Sequence, residues 1–358
     1  MAYPQVIVDT AAVEENARLV VKLCAERGIS VIGVTKLTCA SPEVARAMLR
    51  GGVRGLADSR LENLQRLRQA GIDALLTLLR LPMLSQVRDV VEISDVSLNS
   101  EPVTVRALGA AAKALGRRHR VILMVDCGDL REGVWVGEGS FEHLRALARA
   151  AGRQSHLEVE GVGTNLTCYG GIAPSSENMT LLLQAKGIVE EEIQRSVPVV
   201  SGGNSANLLA LQTGDIPAGI NQLRVGEAIL LGNETLHRQP LAGARSDAIV
   251  VQAEVIEIKR KPSVPVGTIC QDAFGEVPCF EDRGHRTRAI LALGRQDVTV
   301  RGLIPTDPKI EILGASSDHL IIDATEAGLS VGSTVTFLPN YSATLALFTS
   351  RYVRKVYT

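Results

Sequence analysis

The sequence predicts an α/β chain: a TIM (β/α)8 barrel followed by a C-terminal, mostly β domain. Three observations predict it. Eight apolar, strand-like runs alternate with helically periodic segments over the first 232 residues. Those runs are apolar on both faces, as the strands of a parallel sheet covered by helices must be. After Gly232 the texture changes to strand runs with no helical segments between them. Eight parallel strands are the number that closes this kind of barrel.

The eight runs, in order, are VIGVT (31–35), GLAD (55–58), ALLTLL (74–79), DVSLN (95–99), VILMVD (121–126), GVGTNL (161–166), VPVVSG (197–202) and LRVGEAILLG (223–232). VEENARLVVKLCAERG spaces its apolar residues three and four apart and ends in glycine, as a helix does. LENLQRLRQAG repeats that plan, and the alanine-rich EPVTVRALGAAAKALG also stops at glycine. Beyond the polar linker HRQPLAGARS, the runs AIVVQAEVIEIKR, RAILAL, KIEILG, HLIIDAT and STVTFL are joined by turns such as KPSVPVG and LIPTDPK. The expected domains are a barrel over 10–232 and a β domain over 235–358, with 1–9 a candidate to join the latter.

Composition removes several classes of function. With 38 basic and 39 acidic residues scattered along the 358-residue chain, there is no basic face of the kind that binds nucleic acid. The N-terminus MAYPQVIVDT lacks a basic region followed by an apolar run, and no stretch reaches the roughly 18 apolar residues of a membrane span. A cytoplasmic protein is expected. Six cysteines without a CxxC pair read as free thiols, and the spacing of His285 and His319 makes neither a metal ligand, so no metal site is expected.

In such barrels chemistry gathers where strands end, and Lys36 ends the first run. The other ends carry Asp58, Arg80, Asn99, Asp126, Asp129, Arg131, Asn165, Ser201, Asn204, Ser205, Arg224 and Glu227. Any one of these could be a cap or a solvated group; together, with two glycine turns, they outline a site. VSGGNSANL sets two glycines, Asn204 and Ser205 between a strand and a helix, where backbone N–H groups favour an anion. RVGEAILLG adds a second glycine turn on the last strand, where barrel phosphate sites form. A phosphate-bearing cofactor beside a strand-end lysine points to pyridoxal phosphate, whose aldehyde forms a Schiff base with an amine. Arg224 cannot release its proton, so an acceptor nitrogen held by it stays unprotonated, which favours proton exchange at Cα over transamination.

With these motifs in place, the chain resembles the alanine-racemase-like, fold-type III pyridoxal-phosphate enzymes along essentially its whole length. It is most similar to their ornithine racemase group. The resemblance implies that Lys36 in GVTKLTCAS is the Schiff-base lysine and that Asn204 and Ser205 in SGGNSANL form the phosphate loop. It puts Arg224 at the pyridine nitrogen and Gly226 and Glu227 at backbone contacts to phosphate. Arg131 in VDCGDLREGV would lie near the substrate carboxylate, Tyr341 in NYSATLALFTSRYVRKVY would reach the phosphate, and Asp318 in GASSDHLIID would enter the partner subunit's side of the site. The strand-six histidine of alanine racemases is Asn165 here, a substrate-side residue.

One departure bears on mechanism. The family's catalytic tyrosine in the second domain has no equivalent in VPVGTICQDAFGEVPC. Counting from Gly267 puts Asp272 at that position, aligning on Phe274-Gly275 leaves no proton-transfer group, and Cys270 is then nearest. A carboxylate or thiol can act as the base, and an aspartate could instead bind a distal substrate ammonium. The resemblance thus implies racemisation of a basic amino acid, ornithine or lysine, by two-base proton exchange in a C2 homodimer with shared sites. The alternatives are an alanine or broad-specificity racemase, a decarboxylase or aldolase on the same fold, and a non-enzymatic cofactor-binding barrel. The β domain argues against the last.

Overall fold

The computed structural model describes residues 3–137 and 140–358, and the chain divides into two compact units. One holds Thr10–Ser246; the other combines the N-terminal segment through Asp9 with Asp247–Thr358. Residues 1 and 2 of the segment 1–9 lie outside the described residues.

Strand β1 (Gln5–Val8) belongs to the second unit, and α1 (Thr10–Ala25) opens the first. The barrel strands are β2 (Ser30–Val34), β3 (Gly55–Asp58), β4 (Leu76–Leu78), β5 (Val96–Asn99), β6 (His119–Asp126), which also carries the short β7 (Val134–Trp135) on its edge, β8 (Leu157–Gly163), β9 (Val199–Ser201) and β10 (Gln222–Val225). The order β2-β3-β4-β5-β6-β8-β9-β10 returns to β2, and each pairing is parallel, so the sheet is a closed eight-stranded barrel. Helices α2 (Pro42–Arg50), α3 (Leu61–Gln69), α4 (Val87–Ile93), α5 (Pro102–Ala114), α6 (Glu142–Gly152), α7 (Ser176–Ile193), α8 (Asn207–Thr213) and α9 (Glu227–Leu231) separate the strands.

Burial explains why the strand runs lack a polar face. Ile32, Val34 and Ala57 pack with Leu75 and Leu79, and the same two leucines pack against Val96, Leu98, Ile122 and Met124. These residues come from five neighbouring strands and fill the barrel interior. The alternate positions meet the helices: a Cβ at Gly33 would lie 3.0 Å from the Met48 sulfur of α2.

Two sequence expectations differ from what is found. The eighth run is a strand only over Gln222–Val225, and the chain bends away after Gly226 as α9, whose Ala228, Ile229, Leu230 and Leu231 are buried. The segment HRQPLAGARS is packed against the barrel unit: the Leu241 N–H donates to Gly232 O (2.8 Å), and the buried Asn16 side chain clasps Arg245 through its O (2.8 Å) and N (2.7 Å).

In the second unit, β11 (Ile249–Pro262), β12 (His285–Leu291), β13 (Leu303–Pro305), β14 (Glu311–Ala315), β15 (Leu320–Asp323) and β16 (Thr334–Pro339) pair antiparallel in the order β13-β16-β11-β12-β15-β14. β1 pairs with β11 and, in parallel, with β17 (Arg354–Tyr357). A helix that the strand pattern had not foreseen, α10 (Tyr341–Thr349), is capped by Asn340, whose side chain accepts from Ala343 N at 3.0 Å.

Candidate active site

Four adjacent strands, β2, β10, β9 and β8, bring together most of the barrel residues singled out above. Lys36 lies two residues past Val34, where β2 has ended and the backbone turns at Thr35, and is half-buried at the start of a tight turn. On β10, Arg224 is 4% exposed and reaches across the neighbouring strand ends. It donates to the Ser201 hydroxyl and, at 2.6 Å, to the carbonyl of Thr164. Burial drives its proton affinity down to about 10, opposed by the field of the Glu132 carboxylate, so it remains a cation at neutral pH. All its hydrogen-bond partners are neutral. A buried guanidinium in that setting favours an anionic or acceptor-rich ligand.

The two glycine turns meet beside it. Ser205, buried after β9, accepts from Ala228 N in α9 (3.2 Å), which ties the β9 turn to the β10 turn. At Gly203 (φ +135°) a Cβ would lie 2.4 Å from Asn207 Oδ1, and at Gly226 it would lie 2.9 Å from the Val34 carbonyl on the lysine-bearing strand. Side chains are excluded from both, and backbone is what these turns can offer a ligand. Helices α8 and α9, of 7 and 5 residues, are too short for a large dipole, so the turns rather than the helix ends carry the anion preference. Glu227 pairs with Arg238.

The Asn204 side chain bridges to β8, donating to Leu166 O (2.9 Å) and Asn165 Oδ1 (3.2 Å). At this edge the buried Asn165 Nδ2 has no hydrogen-bond partner among the described residues, whereas the Thr164 hydroxyl meets the Cys127 thiol. Such an orphaned group is costly unless a ligand satisfies it. Arg131 follows β6, forms an ion pair with Glu132, and lies within electrostatic reach of Arg224. Its loop is held by Asp129, 1% exposed, whose carboxylate accepts from Cys168 N (3.2 Å), Tyr169 N (3.0 Å) and Gly170 N (3.1 Å) in the loop after β8. Asp129→Ala strands three N–H groups and is expected to lower stability by about 3 kcal/mol, at roughly 1 kcal/mol per hydrogen bond. Urea denaturation measures it, and a loss below about 1 kcal/mol would show the two loops to be held independently.

The remaining candidates belong to the β unit. The Asp272 carboxylate closes a turn, accepting from Phe274 N (2.8 Å) and Glu276 N (3.0 Å), while Arg295 stands 4.0 Å away. Backbone hydrogen bonds in the turn, with Arg295 nearby, hold its carboxyl below the usual range. Cys270, two residues earlier, is exposed. Asp318 is also exposed, accepting from Gln296 Nε2 (3.0 Å) and Ser317 Oγ (2.6 Å), and Tyr341 begins α10. Sequence reasoning missed Thr164, Glu132 and Cys168, whose sulfur lies 3.6 Å from Asn204 Nδ2. Only the acidic neighbour directly after Arg131 left a visible signal for any of these. Among the described residues no group of three or more His, Cys, Asp or Glu could hold a metal ion, and no helix is long and apolar enough to cross a membrane.

A closed (β/α)8 barrel with a lysine just past its first strand and a buried arginine on its last, joined to an antiparallel β unit, is the fold of the two-domain alanine racemases. Alanine racemase from the D-cycloserine-producing Streptomyces lavendulae superposes with a TM-score of 0.78 at 20% identity, over 100% of this chain and 98% of that one. D-threonine aldolase from Filomicrobium marinum shares the fold at 15% identity and TM-score 0.73, over 97% and 88%. Residues 8–234 match the alanine racemase N-terminal domain, and the chain belongs to that family, whose enzymes are pyridoxal-phosphate-dependent. It is 41% identical over 355 residues to ornithine racemase of Acetoanaerobium sticklandii, covering 99% of both chains. It is 42% identical over 358 residues to lysine racemase of Thermotoga maritima, covering 100% of this chain and 99% of that one.

Proposed function

We propose that the chain is a pyridoxal-phosphate-dependent amino-acid racemase that interconverts L- and D-ornithine or lysine by proton exchange on the two faces of Cα. The observation that carries this is the assembly of Lys36, Arg224, Ser205 and the Gly203 and Gly226 turns on adjacent strands. Identity of 41% and 42% to an ornithine and a lysine racemase along nearly the whole chain supports the substrate class. The donor set suits the cofactor: an amine for its aldehyde, a buried neutral-partnered guanidinium for its ring nitrogen, and glycine turns with Ser205 and Asn204 for its phosphate.

When bound, pyridoxal phosphate supplies an electron sink that acidifies the Cα–H of an attached amino acid. Lys36 takes or returns the proton on one face. Arg224 donates and does not deprotonate, so it holds an acceptor nitrogen without protonating it. Gly226 and Glu227 present backbone to the phosphate, Tyr341 adds its hydroxyl, and Arg131 with Asn165 binds the substrate carboxylate side. On the opposite face the β unit of a partner subunit in a homodimer supplies the second group. Cys270 is assigned the proton transfer there, because the Asp272 carboxylate is occupied by backbone donors and depressed in pKa. Asp272 and Asp318 then serve as counter-charges for the distal ammonium. Thiols at Cys24, Cys127, Cys168, Cys270 and Cys279 suit a reducing compartment, and we place the enzyme in the cytoplasm.

Chiral chromatography of L- and D-ornithine, lysine and alanine tests the reading. Ornithine or lysine should be favoured over alanine by at least about 10²-fold in kcat/KM, since an unpaired buried ammonium or carboxylate costs several kcal/mol. Solvent-deuterium incorporation then separates the roles. Cys270→Ser should lose exchange from one enantiomer only, whereas Asp272→Asn and Asp318→Asn should raise KM for ornithine and leave alanine unchanged. Normal two-way racemisation in all three variants would remove this loop from the site.

A further inference from the structure

We infer that Thr35 and Asp58 form a positioning device for Lys36, built behind the sheet and outside the ligand site. The inference rests on Lys36 being the reacting amine. Thr35 is the residue before Lys36 and is wholly buried. Its hydroxyl donates to Asp58 Oδ2 at 2.8 Å, on the adjacent strand β3. Its carbonyl accepts from Thr38 N (3.0 Å), Ala40 N (3.1 Å) and Thr38 Oγ1 (3.1 Å), so three of the hydrogen bonds that close the Lys36 turn end on this residue, while Arg66 of α3 donates to the Cys39 carbonyl.

That turn is strained. Cys39 (φ 48°) and Ala40 (φ 53°) are consecutive non-glycine residues in the left-handed region, which costs about 1–2 kcal/mol each. Such a conformation persists only where its surroundings over-determine it. Asp58 is the anchor. It is wholly buried, and its Oδ1 accepts from Asn63 Nδ2 (2.9 Å) in α3 and from Arg60 N (3.0 Å). Burial pushes its carboxyl up, and its hydrogen-bond donors are all neutral. A neutral side chain could cap Arg60 and Asn63 at lower cost. What Asp58 adds is a second oxygen, Oδ2, that meets the Thr35 hydroxyl and ties the strand end from which Lys36 departs to β3, where the same hydroxyl also lies 3.3 Å from Ala57 O.

The test uses Thr35→Val, Thr35→Ser and Asp58→Asn. Thr35→Val keeps the shape and removes the donor. Asp58→Asn replaces the Oδ2 acceptor with a donor. Three quantities are read: kcat and KM of the holoenzyme, melting temperature, and the rate at which an amine-directed reagent modifies Lys36 after hydroxylamine removes the cofactor, followed by peptide mass. Thr35→Val should lower kcat about 10- to 100-fold with KM little changed, as a small misplacement does. It should also change the Lys36 modification rate several-fold, and Thr35→Ser should restore both. Asp58→Asn should change them in the same direction, because it removes the Oδ2 acceptor while keeping an oxygen for Arg60 and Asn63. Wild-type kcat and Lys36 reactivity in Thr35→Val and Asp58→Asn would overturn the inference, as would losses in Thr35→Ser equal to those in Thr35→Val. If Thr35→Val does not fold, Asp58→Asn decides alone. If the wild-type protein neither racemises nor carries cofactor on Lys36, the proposed function fails, and the modification rates still decide whether the pair positions this lysine.

Discussion

Lys36→Ala should abolish racemisation and leave the protein folded. Lys36 is half-buried past the end of β2, so truncating it removes none of the apolar barrel core formed by Ile32, Val34 and Ala57. The turn that carries it is held by the Thr35 carbonyl and hydroxyl, which the substitution leaves in place. The stability change should therefore stay within about 1 kcal/mol, the scale of substitutions away from buried features. Activity loses both the covalent anchor and the proton carrier on one face, and a positioned acid–base group alone is worth up to about 10⁴-fold. The fall in kcat/KM should be at least that large. The purified variant should also lack the visible absorbance of lysine-bound pyridoxal phosphate, and borohydride should fix no cofactor to the chain. A visible spectrum like the wild type's, with borohydride attaching the cofactor to another lysine, would remove Lys36 from its assigned role.

Much of the barrel is legible because buried parallel strands leave apolar runs whose ends are local events. VIGVT stops at Lys36, and RVGE turns at Gly226. Where the reading failed, apolarity had two meanings. AILLG is as apolar as any strand, and a run that short cannot be told from a buried helix by periodicity, so α9 was absorbed into β10. HRQPLAGARS looks polar, yet the contacts that pack it, through Asn16 and Gly232, lie far away in sequence or show no pattern. The site divides along the same line. Glycine turns and strand-end polar residues announce themselves locally, but the partners of Arg224 lie 23 and 60 residues away, and Thr35 meets Asp58 across 23. These pairs exist only once strand register is fixed. The Asp272 carboxylate is a converse case, since its partners Phe274 and Glu276 are two and four residues on, and the turn could be read from DAFG alone.

Arg224→Glu should convert a clean racemase into a slow and leaky one. In the wild-type protein the guanidinium donates to the Ser201 hydroxyl and to the Thr164 carbonyl, deep enough that burial depresses its proton affinity without neutralising it. A glutamate at the same place would face those oxygens and the field of Glu132, and burial would raise its pKa strongly, so it would hold a proton. A group that shares its proton would then stand where one that cannot release it had stood. A protonated partner nitrogen draws more of the negative charge from Cα, which prolongs its lifetime and lets the proton return at the wrong carbon. The expected result is a kcat lower by about 10²- to 10³-fold, comparable with loss of one preorganised electrostatic donor, together with release of α-keto acid that the wild type does not produce. Loss of the buried hydrogen bonds from a charged donor to Ser201 and Thr164 also costs roughly 1.5–3 kcal/mol each, so the melting temperature must fall with it. Arg224→Gln controls for that cost: it should lose comparable stability and some rate, but release little keto acid, because an amide has no proton to share at neutral pH. Equal keto-acid release from both variants would attribute the side reaction to a loosened site rather than to the proton, and wild-type kinetics in Arg224→Glu would place this residue out of the cofactor's reach.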